Sequence, residues 1–200
     1  APSEMCIRDS RHTLRRAVDE LVLEGRLLRR QGKGTQVLAK PLVYPVEAGS
    51  AFSQSLSALG HRVEAQLIER LRRSGSSEEC RHLQLPDGSE LLELVTLRLL
   101  DGQPLSLIRH RFCVSLAPLL ADYQGGSLRQ YLAERDLPLT RTFSLIGARL
   151  SSREEAAHLL MPRHAPLLSV LTLSRDPAGR ALELAQSSSR ADRFQYQVAT

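Results

Sequence analysis

The sequence predicts an α+β fold built on one mostly antiparallel sheet. Two hairpins support this prediction, one over residues 90–114 that turns at Asp101-Gly102, and one over residues 167–189 that turns at Asp176–Gly179. Each turn places residues suited to tight turns between two alternating strands. Short helical patterns interrupt the hairpins, which favours an antiparallel sheet over a regular alternation of parallel strands and helices.

The first predicted element is an amphipathic helix over residues 13–23. Its apolar residues recur at helical spacings, with Ser10 expected as the N-cap and Gly25 as the stop. Residues 27–38 then predict two short strands joined by a Gly-x-Gly turn. Residues 41–50 are rich in proline, glycine and serine, and they predict a linker between two domains.

The other elements follow in the larger part of the chain. We expect helices over residues 52–59, 76–83, 127–136 and 152–160, and strands over residues 63–71, 90–100, 103–114, 140–150, 167–175, 181–189 and 194–199. The predicted organisation is therefore a small domain over 1–40, a linker over 41–50 and a larger domain over 51–200.

The composition is that of a globular protein, with 42% hydrophobic and 24% charged residues. Aromatic residues make up 4% and tryptophan is absent, which argues against an aromatic platform for single-stranded nucleic acid. No apolar run approaches the roughly 20 residues that span a bilayer, and no secretion signal is present at the start. We therefore expect a cytoplasmic protein with no membrane partner.

Cysteine and histidine residues are few and dispersed along the chain. The three cysteines are Cys6, Cys80 and Cys113, and the six histidines form no pair at metal-ligand spacing. No disulfide framework, metal site or cofactor is expected from this pattern. No nucleophile–base pair stands out either, so no catalytic residue is predicted.

The net charge of +5 is concentrated at the start of the chain, where residues 1–40 contain nine Lys/Arg and five Asp/Glu. A local basic excess is typical of phosphate binding, although a solvated surface would also explain it. The pattern of the predicted helix favours DNA, because its first turns carry Arg11, Arg15 and Arg16. Arginines at a helix N-terminus can reach guanine edges and phosphates in the major groove.

These residues resemble the recognition helix and wing of GntR-family transcription regulators, in the runs Ser10–Ala17, Glu24-Gly25 and Gly32–Thr35. The resemblance implies that Arg11, Thr13 and Arg15 contact DNA and that the wing carries Arg30, Gly32 and Lys33. The family has two helices before the recognition helix, whereas only nine residues precede Ser10. We therefore expect an incomplete winged helix-turn-helix, from a fragment or from a truncated or faulty gene, that binds DNA weakly.

Residues 50–198 resemble the UTRA effector domain of the HutC subgroup of these regulators. The residues that carry the resemblance are Leu59-Gly60-His61, Leu97–Leu99, Asp101–Leu105, Glu154–Ala156, Leu159-Leu160, Asp176, Gly179-Arg180, Glu183 and Asp192-Arg193. The resemblance implies a chorismate-lyase-like fold, a homodimer and a small effector bound over the sheet. Within the subgroup, Pro104–Leu107, His110, Phe112 and Thr142 are most similar to phosphonate-metabolism regulators.

The strand pattern and the resemblance both single out Arg98 as a ligand contact. An arginine among apolar neighbours of one strand face needs an acidic partner or an anionic ligand. Glu183 is the expected partner or hydroxyl anchor, and it matches another ligand position of the family. The remaining candidates are Ser53, Thr142 and Ser189, with Arg109 and Arg111 as nearby cations across the hairpin.

Two departures bear on the class of ligand. Sugar-phosphate sensors of the family often carry a second arginine where this chain has Thr96, and a glutamate where it has Ile108. The sequence therefore favours a smaller anion such as a phosphonate or phosphate ester. A buried Arg98–Glu183 ion pair without a ligand remains the structural alternative.

The leading functional prediction is a repressor that binds operator DNA as a dimer and responds to this anion. Two alternatives stay open at this point, namely an enzyme of the lyase-like fold and a ligand-binding dimerisation module that does not bind DNA.

Overall fold

The computed structural model describes residues 4–24, 26–30, 34–37, 42–45 and 60–197. Its first element is helix α1, Glu4–Leu23, followed by the antiparallel strands β1, Leu27–Arg30, and β2, Gly34–Val37. Arg29 Nη1 lies 2.8 Å from Asp19 Oδ1 and joins the hairpin to the helix. The predicted N-cap at Ser10 is wrong, because residues 4–9 contain no helix breaker and the helix already begins at Glu4.

The predicted linker contains a strand that the sequence did not indicate. Strand β3, Leu42–Pro45, pairs in parallel with the last strand, Phe194–Gln197. Tyr44 and Phe194 are buried and stack with ring centroids 6.0 Å apart. Strand β3 is thereby fixed to the end of the larger domain. The helix predicted over 52–59 lies outside the described residues.

A six-stranded antiparallel sheet forms the larger domain. Its strands are β4, Val63–Ser74; β5, Glu90–Leu100; β6, Gln103–Cys113; β7, Thr140–Leu150; β8, Pro166–Arg175; and β9, Ala181–Arg190; the short strand Phe194–Gln197 is β10. The order across the sheet is β4-β5-β6-β9-β8-β7, so β4 and β7 are its edges. These strands confirm the predicted mostly antiparallel sheet.

Short helices connect the strands. They are α2, Ser77–Leu83; a 3-10 turn, Val114–Leu116; α3, Leu128–Ala133; and α4, Arg153–His158. Ser76 and Ser152 form capping boxes with Glu79 and Glu155, respectively, in which each side chain satisfies a backbone N–H of the other residue. These caps define where α2 and α4 begin.

The alternating residues of β5 divide the core between the two faces of the sheet. Leu92 and Leu94 pack with the segment over residues 116–139, which includes α3. Leu91 packs with Leu83 of α2, and Val95 packs with Leu159 after α4. One face therefore carries the α3 segment and the opposite face carries α2 and α4.

Gly125 fixes the α3 segment against the sheet edge. Its φ is +145°, and an added Cβ would lie 2.6 Å from the carbonyl oxygen of Ala65. The next residue, Gly126, donates its N–H to the same oxygen at 2.7 Å. A side chain at residue 125 would push the start of α3 away from β4.

Within the described part of the chain, no helix is long and apolar enough to cross a membrane. The same residues contain no group of three or more His, Cys, Asp or Glu side chains that could hold a metal ion.

Candidate functional site

A cavity of about 140 Å³ lies over the face of the sheet that carries α3. Strands β5 to β9 supply its floor, and the segment over residues 123–141 together with β3 and β10 supplies its walls. Engineered cavities of roughly 150 Å³ hold a benzene molecule. The cavity therefore suits a ligand of a few heavy atoms.

Arg98 of β5 lines this cavity as predicted. Burial lowers the pKa of Arg98 to about 10, and the hydroxyls of Tyr196, Tyr44 and Tyr123 offset part of the effect. The guanidinium still carries its charge at neutral pH. It is thus a cation in a setting with little water, where it interacts strongly with an anion.

Two further arginines line the cavity, Arg129 of α3 and Arg141 of β7. Arg141 lies near enough to Arg98 for its charge to lower the pKa of Arg98 further. The Nε atom of Arg141 is buried and has no hydrogen-bond partner among the described residues. The sequence analysis did not identify either of these arginines.

Glu183 of β9 is buried in the cavity floor, and its observed partner is His110. His110 Nδ1 lies 2.7 Å from Glu183 Oε1, and His110 Nε2 lies 3.0 Å from Thr96 Oγ1. Burial raises the pKa of Glu183, but the hydrogen bond and charge of His110 outweigh it and hold that pKa below its usual value. Among the described lining residues Glu183 is the sole carboxylate.

Hydroxyl groups cover much of the remaining surface. Ser189 Oγ lies 2.8 Å from Ser106 Oγ and 3.4 Å from Ser187 Oγ. Ser189 was predicted as a ligand residue, and it does line the cavity. Hydroxyls can donate to anionic oxygens, so this surface complements the arginines.

The prediction that Arg109 and Arg111 lie near the ligand is wrong. Both arginines lie on the opposite face of the sheet, where Arg109 Nη1 and Arg111 Nε are 3.2 and 3.0 Å from the buried carboxylate of Glu93. Arg109 also contacts Glu154 at 2.6 Å, and Arg111 contacts Glu79 at 2.8 Å. They belong to an ion-pair network away from the cavity.

The structure also corrects the prediction for Thr142. Its side chain is exposed and donates to the carbonyl oxygen of Leu173 at 3.3 Å, at an irregularity between Arg141 and Phe143. Its neighbour Arg141 lines the cavity instead. The remaining ligand candidate, Ser53, lies outside the described residues.

The predicted DNA-contacting residues fall on the N-terminal elements. Thr13 and Arg15 are exposed on α1. Arg11 lies in α1 and Arg30 in β1, whereas Gly32 and Lys33 lie outside the described residues.

Three tyrosines of the cavity were not found by sequence reasoning, namely Tyr44, Tyr123 and Tyr196. No local pattern marks Tyr44, since β3 pairs with a strand about 150 residues away. His110 carried a signal, because it alternates with Arg109 and Arg111 on the predicted hairpin.

Comparisons with known proteins agree with this fold. The UTRA domain family matches residues 58–195. The probable transcriptional regulator PhnF of Escherichia coli K12 is 37% identical over 190 residues, which is 94% of this chain and 79% of that protein. An uncharacterised HTH-type transcriptional regulator, RB1450 of Rhizobium meliloti, is 30% identical over 96% of this chain and 80% of its own length.

Solved structures show the same relationship. PhnF from Mycobacterium smegmatis superimposes with a TM-score of 0.74 at 25% identity, covering 100% of this chain and 91% of that one. The effector domain of the same protein gives a TM-score of 0.73 at 21% identity, over 80% of this chain and 99% of that domain, which supports the fold alone. These relatives are regulators, which confirms the predicted resemblance and the expectation that the chain is not an enzyme.

Proposed function

The chain belongs to the UTRA domain family, and we propose that it is a GntR-type transcriptional repressor whose cavity binds a small phosphorus-containing anion. The repressor binds operator DNA as a homodimer in the bacterial cytoplasm. The anion is a phosphonate or a phosphate ester, in line with the resemblance to phosphonate-metabolism regulators.

The observation that carries the proposal is the position of Arg98 in a small cationic cavity. Arg98, Arg129 and Arg141 line it, against the single carboxylate Glu183, which is bonded to His110. Moving an anion out of water into such a site costs free energy unless charged donors meet its oxygens. Arginine forks and serine hydroxyls supply such donors, and the volume of the cavity favours a small ligand.

The N-terminal elements support the DNA-binding part of the proposal. Helix α1 exposes Thr13 and Arg15, and the antiparallel β1–β2 hairpin follows it, as in a recognition helix with its wing. The basic excess of residues 1–40 fits the charge of the DNA backbone.

Strand β3 supports a coupling between the cavity and the DNA-binding elements. It begins five residues after the end of β2, and its Tyr44 lines the cavity near Arg98. A ligand shifts a regulator between two arrangements only when it binds them with different affinities. Contacts between the ligand and Tyr44 would make the affinity for the ligand depend on the position of β3, and so differ between the two arrangements.

One observation favours a second candidate, a ligand-binding dimerisation module that does not bind DNA. Leu14 on α1 is 66% exposed, so the described residues cover little of this apolar side chain. A recognition helix is held in place for DNA binding by packing its apolar side on the rest of its domain, and Leu14 shows little such packing among the described residues. Binding of the chain to DNA therefore discriminates between the two candidates.

A ligand panel tests the proposed effector. Thermal unfolding of the full chain is followed with methylphosphonate, methyl phosphate, acetate and glycerol at equal concentrations. We expect the two phosphorus compounds to raise Tm, because a ligand that binds only the folded state stabilises it by mass action. Stabilisation by glycerol alone would refute the anion site.

A further inference from the structure

Two arginines from strands that are not neighbours line the same cavity and lie near enough for their charges to interact. Arg98 lies on β5 and Arg141 on the edge strand β7, with β6, β9 and β8 between them in the sheet. Tyr196 lies close to both, because both charges act to lower the pKa of its hydroxyl against the effect of burial. The two guanidiniums and this hydroxyl therefore surround a common space.

Arg141 has an unmet hydrogen-bonding requirement at this place. Its Nε–H is buried, and it has no partner among the described residues. A buried donor without an acceptor destabilises the structure, because it has lost its hydrogen bonds to water. An oxygen of a bound ligand would remove that destabilisation.

The charges of the cavity do not balance around this pair. The carboxylate of Glu183 is the sole acidic group among the described lining residues, and its Oε1 is bonded to His110. Two cations that share a poorly hydrated space repel each other. A ligand with two negative charges neutralises both, whereas a ligand with one leaves a net positive charge.

We propose that Arg98 and Arg141 form a two-arginine clamp that selects a doubly charged tetrahedral phosphorus oxyanion over a singly charged anion of the same shape. The inference rests on the proposed function and adds the charge of the ligand and a second arginine that determines it. Arginine suits this role because its planar fork binds two oxygens of a tetrahedral group.

Calorimetric titration of the full chain at pH 8 tests the clamp with two probes of like shape. Methyl phosphate carries close to two charges there, since the second pKa of a phosphate monoester is about 6, and methyl sulfate carries one. Methylphosphonate is the third probe and separates phosphonate from ester. We expect both phosphorus compounds to bind the wild type at least tenfold more tightly than methyl sulfate.

Variants assign this preference to Arg141. Arg141→Gln should weaken methyl phosphate binding at least tenfold and leave methyl sulfate within about threefold. Arg141→Lys should retain part of the preference, since it keeps the charge. Arg72→Gln removes an exposed arginine of β4 outside the cavity and should behave as the wild type. Unfolding curves without ligand confirm that each variant is folded.

The outcomes separate the clamp from the proposed function. Equal binding of methyl phosphate and methyl sulfate by the wild type, or an unchanged preference in Arg141→Gln, overturns the clamp and leaves the anion site standing. Absence of binding by all three probes overturns the proposed function and the clamp together.

Discussion

His110 Nδ1 lies 2.7 Å from Glu183 Oε1 on the neighbouring strand, and both residues are largely buried. The contact gives a buried carboxylate a donor within the cavity floor. Because His110 also contacts Thr96 at 3.0 Å, strands β5, β6 and β9 are joined by one chain of polar contacts. These contacts hold the floor of the cavity in place.

Removal of the Glu183 carboxylate is expected to destabilise the protein. Glu183→Ala leaves the His110 ring without its acceptor in a buried setting, which should lower the free energy of unfolding by about 1–3 kcal/mol. Glu183→Gln keeps an acceptor oxygen and should cost less. Urea unfolding measures both, with Arg72→Gln, a change at an exposed residue of β4 outside the cavity, as the control. Equal stability of Glu183→Ala and the wild type would show that the contact contributes nothing.

Acid should weaken the fold through Glu155 of α4. Burial alone would raise the pKa of Glu155. Two hydrogen bonds outweigh it and lower the pKa to about 2: one from Arg149, whose Nη1 lies 2.7 Å from Glu155 Oε2, and one from the backbone N–H of Ser152. A depressed folded pKa means that the stabilisation is complete above the ordinary value near 4.5 and is lost as the pH falls towards 2. The free energy of unfolding should therefore fall from about pH 5 down to about pH 2, a window set by that shift.

A matched pair of variants checks this assignment. Glu155→Gln should reduce the loss on acidification and cost about 1.5–3 kcal/mol at neutral pH, the range for hydrogen bonds to a charged group. Glu154→Gln, whose side chain is 52% exposed, should cost less than about 1 kcal/mol. An identical pH profile for Glu155→Gln and the wild type would exclude Glu155 as a source of the acid sensitivity.

DNA binding should depend on Arg15. Arg15→Ala should weaken binding to an inverted repeat selected from random duplexes by about 1–3 kcal/mol, the range for a base contact. Fluorescence anisotropy measures the affinity, and raising the salt concentration should reduce it steeply as counterions are released. Arg163→Ala is the control, because it removes an exposed arginine of the larger domain, away from α1. Wild-type affinity in Arg15→Ala would remove this residue from the DNA interface.

The full chain should be a dimer in solution, since an inverted repeat requires two copies related by a twofold axis. The edge strand β7 exposes Leu145 at 60%, and its outer backbone groups lie at the rim of the sheet. A second copy at this edge would cover Leu145 and pair with those groups. Light scattering at tens of micromolar, roughly the range for moderate affinity, should report a dimer that Leu145→Glu weakens. A monomer at that concentration would contradict the prediction.

Local sequence patterns predicted the main hairpins but not which residues face the cavity. Leu100 pairs with Gln103 across the two-residue turn, and continued pairing would set Leu94 opposite Arg109. Instead Leu99 pairs with Pro104 and Arg98 pairs with Ser106, so Leu105 is an extra residue. One such residue moves the following side chains of β6 to the other face. Arg109 and Arg111 were misplaced for this reason.

An extra residue in a strand also explains why Arg141 lines the cavity instead of the predicted Thr142. Arg141 pairs with Ser174 and Phe143 with Leu173, so Thr142 is the extra residue on β7. The pairing of β3 with β10 was missed for a different reason, because contacts between distant segments leave no periodic signal in either. Arg98 was identified because alternation and the family resemblance agreed on it, whereas Glu183 and Ser189 were identified from the resemblance.

Titration of the full chain with methylphosphonate, in the wild type and in Arg98→Ala, tests the anion site most directly. The wild type should bind, and a ligand concentration a hundredfold above Kd should stabilise it by about 2.7 kcal/mol. Arg98→Ala should remain folded and lose both the heat of binding and the stabilisation, while Arg72→Gln should keep them. Undiminished binding by a folded Arg98→Ala protein would contradict the assignment of this cavity as the effector site.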